Sequence, residues 1–114
     1  MNATFVELPA FDRLRATYLD DDDFAALQQL LMKHPDAGSQ IPGTGGLRKL
    51  RFRDRRRQKG TRGGIRLIYY WWDDGSEFWL FMLYDKDEMS DLTAEQRAVL
   101  KARVKAELTA RRRE

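Results

Sequence analysis

Five residues combine type and spacing in a way that points to chemistry: Lys49, Arg51, Arg66, Tyr84 and Lys86. Residues 47–53 alternate, so Lys49, Arg51 and Arg53 share one face of an extended strand while Arg48, Leu50 and Phe52 share the other. Leu50 and Phe52 belong to a core, which turns Lys49, Arg51 and Arg53 outward in a row. Pairing Arg53 with Gly64 across the following loop sets Arg51 opposite Arg66. Pairing Asp73 with Glu77 in the next hairpin sets Arg66 opposite Tyr84, with Lys86 one ladder step further on. A register one residue away is the alternative. Like charges directly opposed weaken a sheet, so this cluster of cations makes sense when an anion occupies it. The chemistry it offers is the binding of phosphate or another polyanion.

The surrounding charge agrees. From Arg48 to Arg66 there are ten Lys or Arg and one acid, Asp54, within a chain of 21 basic and 18 acidic residues. The remainder therefore holds 11 basic and 17 acidic residues, so the positive charge is gathered in one place. Arg55, Arg56, Arg57, Lys59 and Arg62 lie in a loop punctuated by Gly60, Gly63 and Gly64. With Arg48 and Arg53 they make a basic clamp suited to a nucleic-acid backbone. The aromatic residues Trp71, Trp72, Phe78 and Trp79 read as core.

The elements that must position these residues follow from periodicity. Residues 4–8 are a first strand closed by Pro9. Phe11, Leu14, Arg15 and Tyr18 recur at helical spacing. Four acids at 20–23 open a second helix, supplying a cap and suiting its positive end. Phe24, Leu27, Leu30 and Leu31 make that helix amphipathic to about Lys33, and Pro35 ends it. His34, the only histidine, belongs to the helix end and carries no catalytic reading. Residues 36–46 form a loop with four glycines, and GTGG serves there as a turn, because no GK[ST] follows to make a phosphate-binding loop. Residues 64–72 are apolar on both faces apart from Arg66, which marks a central strand. Residues 77–84 return as its hairpin partner around Gly75. Thr93 and Gln96 form a capping box for a last helix with a thin apolar stripe.

The fold class is α+β: a small, mainly antiparallel sheet with a mixed edge, two N-terminal helices and a C-terminal helix, in the order β–α–α–β–β–β–α. The helices are expected mainly on one face of the sheet. At 114 residues the length predicts one domain over residues 1–114. Without cysteine there is no disulfide, thiol nucleophile or Cys-bound metal. The acids at 20–23 read as a helix start and no metal is expected. No cofactor is indicated. The N-terminus lacks the pattern of a signal peptide and no apolar run is long enough to span a membrane, so a cytoplasmic protein is expected.

Taken together, GTGGLRKLRF, RGGIRLIYYW and LYDKDEMSDLT before a terminal helix resemble the RelE/ParE superfamily of bacterial toxins, nearest to the HigB-like branch of RelE-type endoribonucleases. The resemblance runs from Phe5 to the last helix. It implies the toxin of a type II toxin–antitoxin system that cuts mRNA in the ribosomal A site without a metal. The 2′-hydroxyl attacks the adjacent phosphate, leaving a 2′,3′-cyclic phosphate and a free 5′-hydroxyl. Carried over by position, Lys49 and Arg51 match the basic strand pair, Arg66 the arginine of the next strand, and Tyr84 and Lys86 the end of the last strand. On that basis Lys49 is the general base, with Lys86 the runner-up. Arg51 and Arg66 stabilise the phosphorane, and Tyr84 stacks on a base or orients the nucleotide. Asp87 stands where an arginine is common, which leaves the general acid open. The implied partners are the ribosome, mRNA and a helix-turn-helix antitoxin of HigA-like type. A ParE-like gyrase inhibitor on the same fold, or a non-catalytic RNA- or ribosome-binding module, are the alternatives.

Overall fold

The structure is a computed structural model and describes residues 2–54, 64–89 and 91–112. A first strand, β1 (Thr4–Glu7), leads into α1 (Pro9–Tyr18) and α2 (Asp21–Lys33). A two-residue strand, β2 (Ser39–Gln40), then precedes β3 (Arg48–Phe52), β4 (Ile65–Trp72), β5 (Glu77–Asp85) and α3 (Ala94–Arg112). The five strands form one sheet in the order β1-β5-β4-β3-β2. β1 joins β5 in parallel and every other pairing is antiparallel. The architecture is α+β with a mixed edge, as the sequence implies, and β2 is an addition to the expected order.

Local chemistry sets the helix ends. Pro9 occupies the first position of α1, where its missing N–H costs nothing. The Asp23 N–H donates to Asp20 Oδ1 at 2.7 Å, capping α2. At α3 the Gln96 N–H donates to Thr93 Oγ1 at 3.1 Å and the Thr93 N–H to Gln96 Oε1 at 2.8 Å, a reciprocal capping box. His34 is exposed and ends α2, its N–H donating to the Leu30 carbonyl. The GTGG segment is a turn built around buried Thr44, whose hydroxyl donates to the Ile41 carbonyl and accepts from the Leu47 N–H.

The sheet is covered on both faces, which differs from the expected one-sided arrangement. On one face Phe11, Phe24, Leu27 and Leu31 of α1 and α2 pack on Leu50, Ile65, Leu67, Tyr69 and Phe78. On the other, Leu92 and the α3 residues Leu100 and Val104 pack on Ile68, Trp79, Phe81 and Tyr84. The cause lies in β4 and β5. Both are apolar on each side, and a bare face would leave Trp79 and Phe81 in water at a cost of about 1.5–3 kcal/mol per large side chain.

The β4–β5 register holds a further correction. Trp72, rather than Asp73, lies opposite Glu77. The register then shifts between Ile68 and Tyr69, which face Met82 and Leu80 and leave Phe81 as an extra residue. This bulge restores the pairing below it, so Arg66 does lie opposite Tyr84.

Candidate active site

The cationic row is built by strand pairing. Arg51 of β3 lies opposite Arg66 of β4, which lies opposite Tyr84 of β5. Lys49 is one step along, opposite Ile68. All four belong to the α3 face of the sheet, with Tyr84 in the core that α3 covers and Lys49 and Arg51 at its open edge.

Depth separates them. Lys49 and exposed Arg51 line a cleft of about 680 Å³, walled by Ala37, Gln40 and Pro42 of the loop around β2 and by Asp91 and Arg97 from the start of α3. Arg66 and Tyr84 are buried within the sheet, at 4% and 5% exposure. Burial, then the Arg51 charge beside it, moves the Arg66 guanidinium below its ordinary value, while Tyr84 opposes this. Burial, then Asp91, pushes the Tyr84 phenol up, against the pull of Arg66. The Tyr84 hydroxyl is buried and has no hydrogen-bond partner among the described residues. At 5% exposure its ring offers little surface on which a base could stack.

Asp91 organises the cleft rim. Its carboxylate lies 3.6 Å from Lys49 Nζ and 3.4 Å from an Arg97 Nη. It is held below the usual carboxylate range chiefly by the Leu92 N–H; burial, next in size, opposes this, and the Lys49 and Arg97 charges add to the lowering. The close charged partner of Lys49 is therefore a carboxylate. Neither Asp91 nor Arg97 stands out in the sequence. The available signal was the capping box at Thr93, because a helix starting there carries Asp91 just before it and Arg97 in its first turn.

The remaining candidates lie elsewhere. Arg48 donates to the Gly38 carbonyl at 2.7 Å and the Asp36 carbonyl at 3.4 Å, bracing the cleft loop. Arg53 leaves the Lys49–Arg51 row because β3 stops at Phe52. Its guanidinium sits 3.7 Å from Asp23 of α2 and 5.3 Å from the Phe52 ring centroid. Lys86 is exposed on the turn beyond β5 and is not among the cleft-lining residues, although its N–H extends the ladder to the Gly64 carbonyl. Arg55, Arg56, Arg57, Lys59 and Arg62 lie outside the described residues. Among the described residues no group of three or more His, Asp or Glu side chains is placed to hold a metal ion.

The five-stranded mixed sheet, three helices and their order define a RelE-like α+β fold. The toxin RelE of E. coli, solved in its free state as a double arginine-to-alanine mutant, superposes with a TM-score of 0.51 at 16% sequence identity. The match covers 79% of this chain and 90% of that one. No family model matches the chain.

Proposed function

We propose that this chain is the toxin of a type II toxin–antitoxin system, a HigB-like, ribosome-dependent endoribonuclease of RelE type acting in the cytoplasm. The observation that carries this reading is the Arg51–Arg66–Tyr84 row beside Lys49 at an open cleft, set on a RelE-like sheet. In the proposed reaction the 2′-oxygen bonds to the adjacent phosphorus as its proton leaves. The P–O5′ bond then breaks and the 5′-oxygen takes up a proton, giving a 2′,3′-cyclic phosphate and a 5′-hydroxyl.

Arg51 meets the phosphate at the cleft and Arg66 adds buried positive charge behind it, where a low dielectric strengthens its effect on the phosphorane. The Tyr84 hydroxyl stays protonated at neutral pH and donates a hydrogen bond. Lys49, released from Asp91 and having given its ammonium proton to solvent, takes the 2′-OH proton as the neutral amine, and Lys86 is the reserve candidate. Asp91 is a weaker base than an ordinary carboxylate and serves to hold Lys49 and Arg97. The partners are mRNA on the ribosome and a helix-turn-helix antitoxin covering the basic surface.

The test is mRNA cleavage in ribosome complexes by wild-type protein and the Lys49→Ala, Arg51→Ala and Arg66→Ala variants. Wild type is expected to give A-site cuts, and each variant to lose on the order of 10²-fold in rate. Intact cleavage in both Lys49→Ala and Arg66→Ala would overturn the assignment. The Lys49–Asp91 ion pair favours one second reading, a non-catalytic RNA-binding module. That reading predicts salt-dependent RNA binding with the message left uncut.

A further inference from the structure

The cleft at Lys49 does not end at Arg97. It shares Pro42 and Arg97 with a second hollow of about 670 Å³. That hollow shares Lys101 with a third of about 290 Å³, which shares Leu108 and Arg112 with a fourth against Tyr70 and Trp72. The four hollows adjoin in a line along α3 and form a groove, its first three parts walled opposite the helix by residues of the 42–45 turn. Arg97, Lys101, Lys105 and Arg112 project into it. At 100° per residue these positions fall within about 80° of one another on the helix surface. The first three are spaced about 6 Å apart along the axis. No acidic residue lines the second or third hollow. The α3 acids lie elsewhere, Glu95 in a separate hollow on the Phe81 side and Glu107 paired with Arg111 at 2.6 Å. Lys101 and Lys105 are exposed and have no ion-pair partner among the described residues.

We propose that this groove carries the phosphodiester backbone of a single RNA strand continuing from the cleft along α3, with its far end at the Tyr70–Trp72 hollow. The proposal rests on the reading of the cleft as an RNA site. Charge complementarity argues for a polyanion, and the regular cation spacing matches successive phosphates. A groove walled by one turn and one helix admits one strand. Tyr70 and Trp72 at its end are half-buried and supply ring surface for a base, the pairing of basic track and aromatic platform that binds single strands. Asp73 and Asp74 line that last hollow and mark where the backbone track stops.

Fluorescence anisotropy with non-cleavable 2′-O-methyl RNA tests this. The probes are a trinucleotide, a single-stranded dodecanucleotide and the same dodecanucleotide as a duplex, each titrated across a range of salt. The variants are Lys101→Ala/Lys105→Ala and, as a control that removes one positive charge from the other side of α3, Arg103→Ala. All three positions are exposed, and alanine favours the helix. Each lost single-strand phosphate contact lowers the salt slope by about 0.7, so the double variant is expected to lose about 1.4 on the single-stranded dodecanucleotide. The Arg103→Ala slope is expected to match wild type. An unchanged slope in the double variant, an equal loss in Arg103→Ala, or an equal loss on the duplex overturns the proposal. Failure of the trinucleotide to bind wild type counts instead against RNA at the cleft, and the dodecanucleotide slopes then decide the groove on their own.

Discussion

Tyr84 is a buried phenol in register with a buried arginine, and its hydroxyl is unsatisfied among the described residues. A buried donor left without a partner costs about 1–3 kcal/mol, and in native proteins such groups gather at functional positions. Burial and Asp91 raise its pKa. The folded state therefore holds the phenolic proton more tightly than the unfolded chain. That contribution to stability is complete below about pH 10 and is lost as pH rises through the folded value. An ultraviolet tyrosinate titration should show a late-titrating component, shared by Tyr84 and Tyr69, that shrinks in Tyr84→Phe. If the variant titrates like wild type, the environment described for Tyr84 is wrong. Asp91 has the opposite sign. Its lowered pKa supplies stability above about pH 4 that is lost as pH falls through the folded value. Carbon NMR of the carboxyl should place its midpoint below that of a free aspartate. Because the carboxylate occupies Lys49 and Arg97, Asp91→Asn is expected to tighten binding of the trinucleotide several-fold, and weaker binding would count against competition between Asp91 and phosphate.

The element that completes the cleft is the start of α3. The capping box fixes that start, so Thr93→Ala is expected to cost about 1 kcal/mol, read as a lower urea midpoint. The far end of α3 is held separately. Arg111 bonds Glu77 at 3.0 Å and Glu107, and its guanidinium lies 4.3 Å from the Trp79 ring centroid. The opposite wall of the cleft depends on close approach. A Cβ on Gly38 would come within 2.9 Å of the Lys49 carbonyl oxygen and of the Tyr69 ring. The Gly38 N–H also donates to the Tyr69 hydroxyl, which in turn donates to the Pro35 carbonyl. Gly38→Ala is therefore expected to destabilise the fold by about 1–3 kcal/mol and to weaken trinucleotide binding, because backbone rather than a flexible side chain must move. A variant as stable as wild type would show that the loop yields freely.

At the scale of the molecule, one sheet serves two cores. Leu67 and Phe78 face α1 and α2 while Ile68 and Trp79, their neighbours in β4 and β5, face α3. Neither core can dissolve without exposing strands that the other needs. Unfolding followed by far-ultraviolet circular dichroism and by the fluorescence of Trp71, Trp72 and Trp79 is expected to give coincident transitions. A separate early loss of helix signal would mean that α3 melts on its own. Positive charge is also arranged at this scale: the Lys49–Arg51 cleft adjoins the α3 groove, so the described residues present an extended basic path.

Alternation and helical spacing are properties of neighbouring residues, and they were enough to set every element but the two-residue β2, the outward face of Lys49 and Arg51, and the Arg51–Arg66 pairing. The caps at Asp20 and Thr93 were legible for the same reason. The Arg66–Tyr84 pairing came out as expected only because the bulge at Phe81 offset the one-residue difference at the Trp72–Glu77 turn. Long-range packing decided the rest. It laid α3 on the second face, which carried Asp91 and Arg97 to the cleft and left the basic side of the helix over a groove. It ended β3 at Phe52, so that Arg53 turned to Asp23, and it left Lys86 outside the cleft. A thin apolar stripe shows that a helix needs a surface to cover. Which face it takes depends on two-sided apolar strands distant in sequence, and periodicity within the helix carries no information about them.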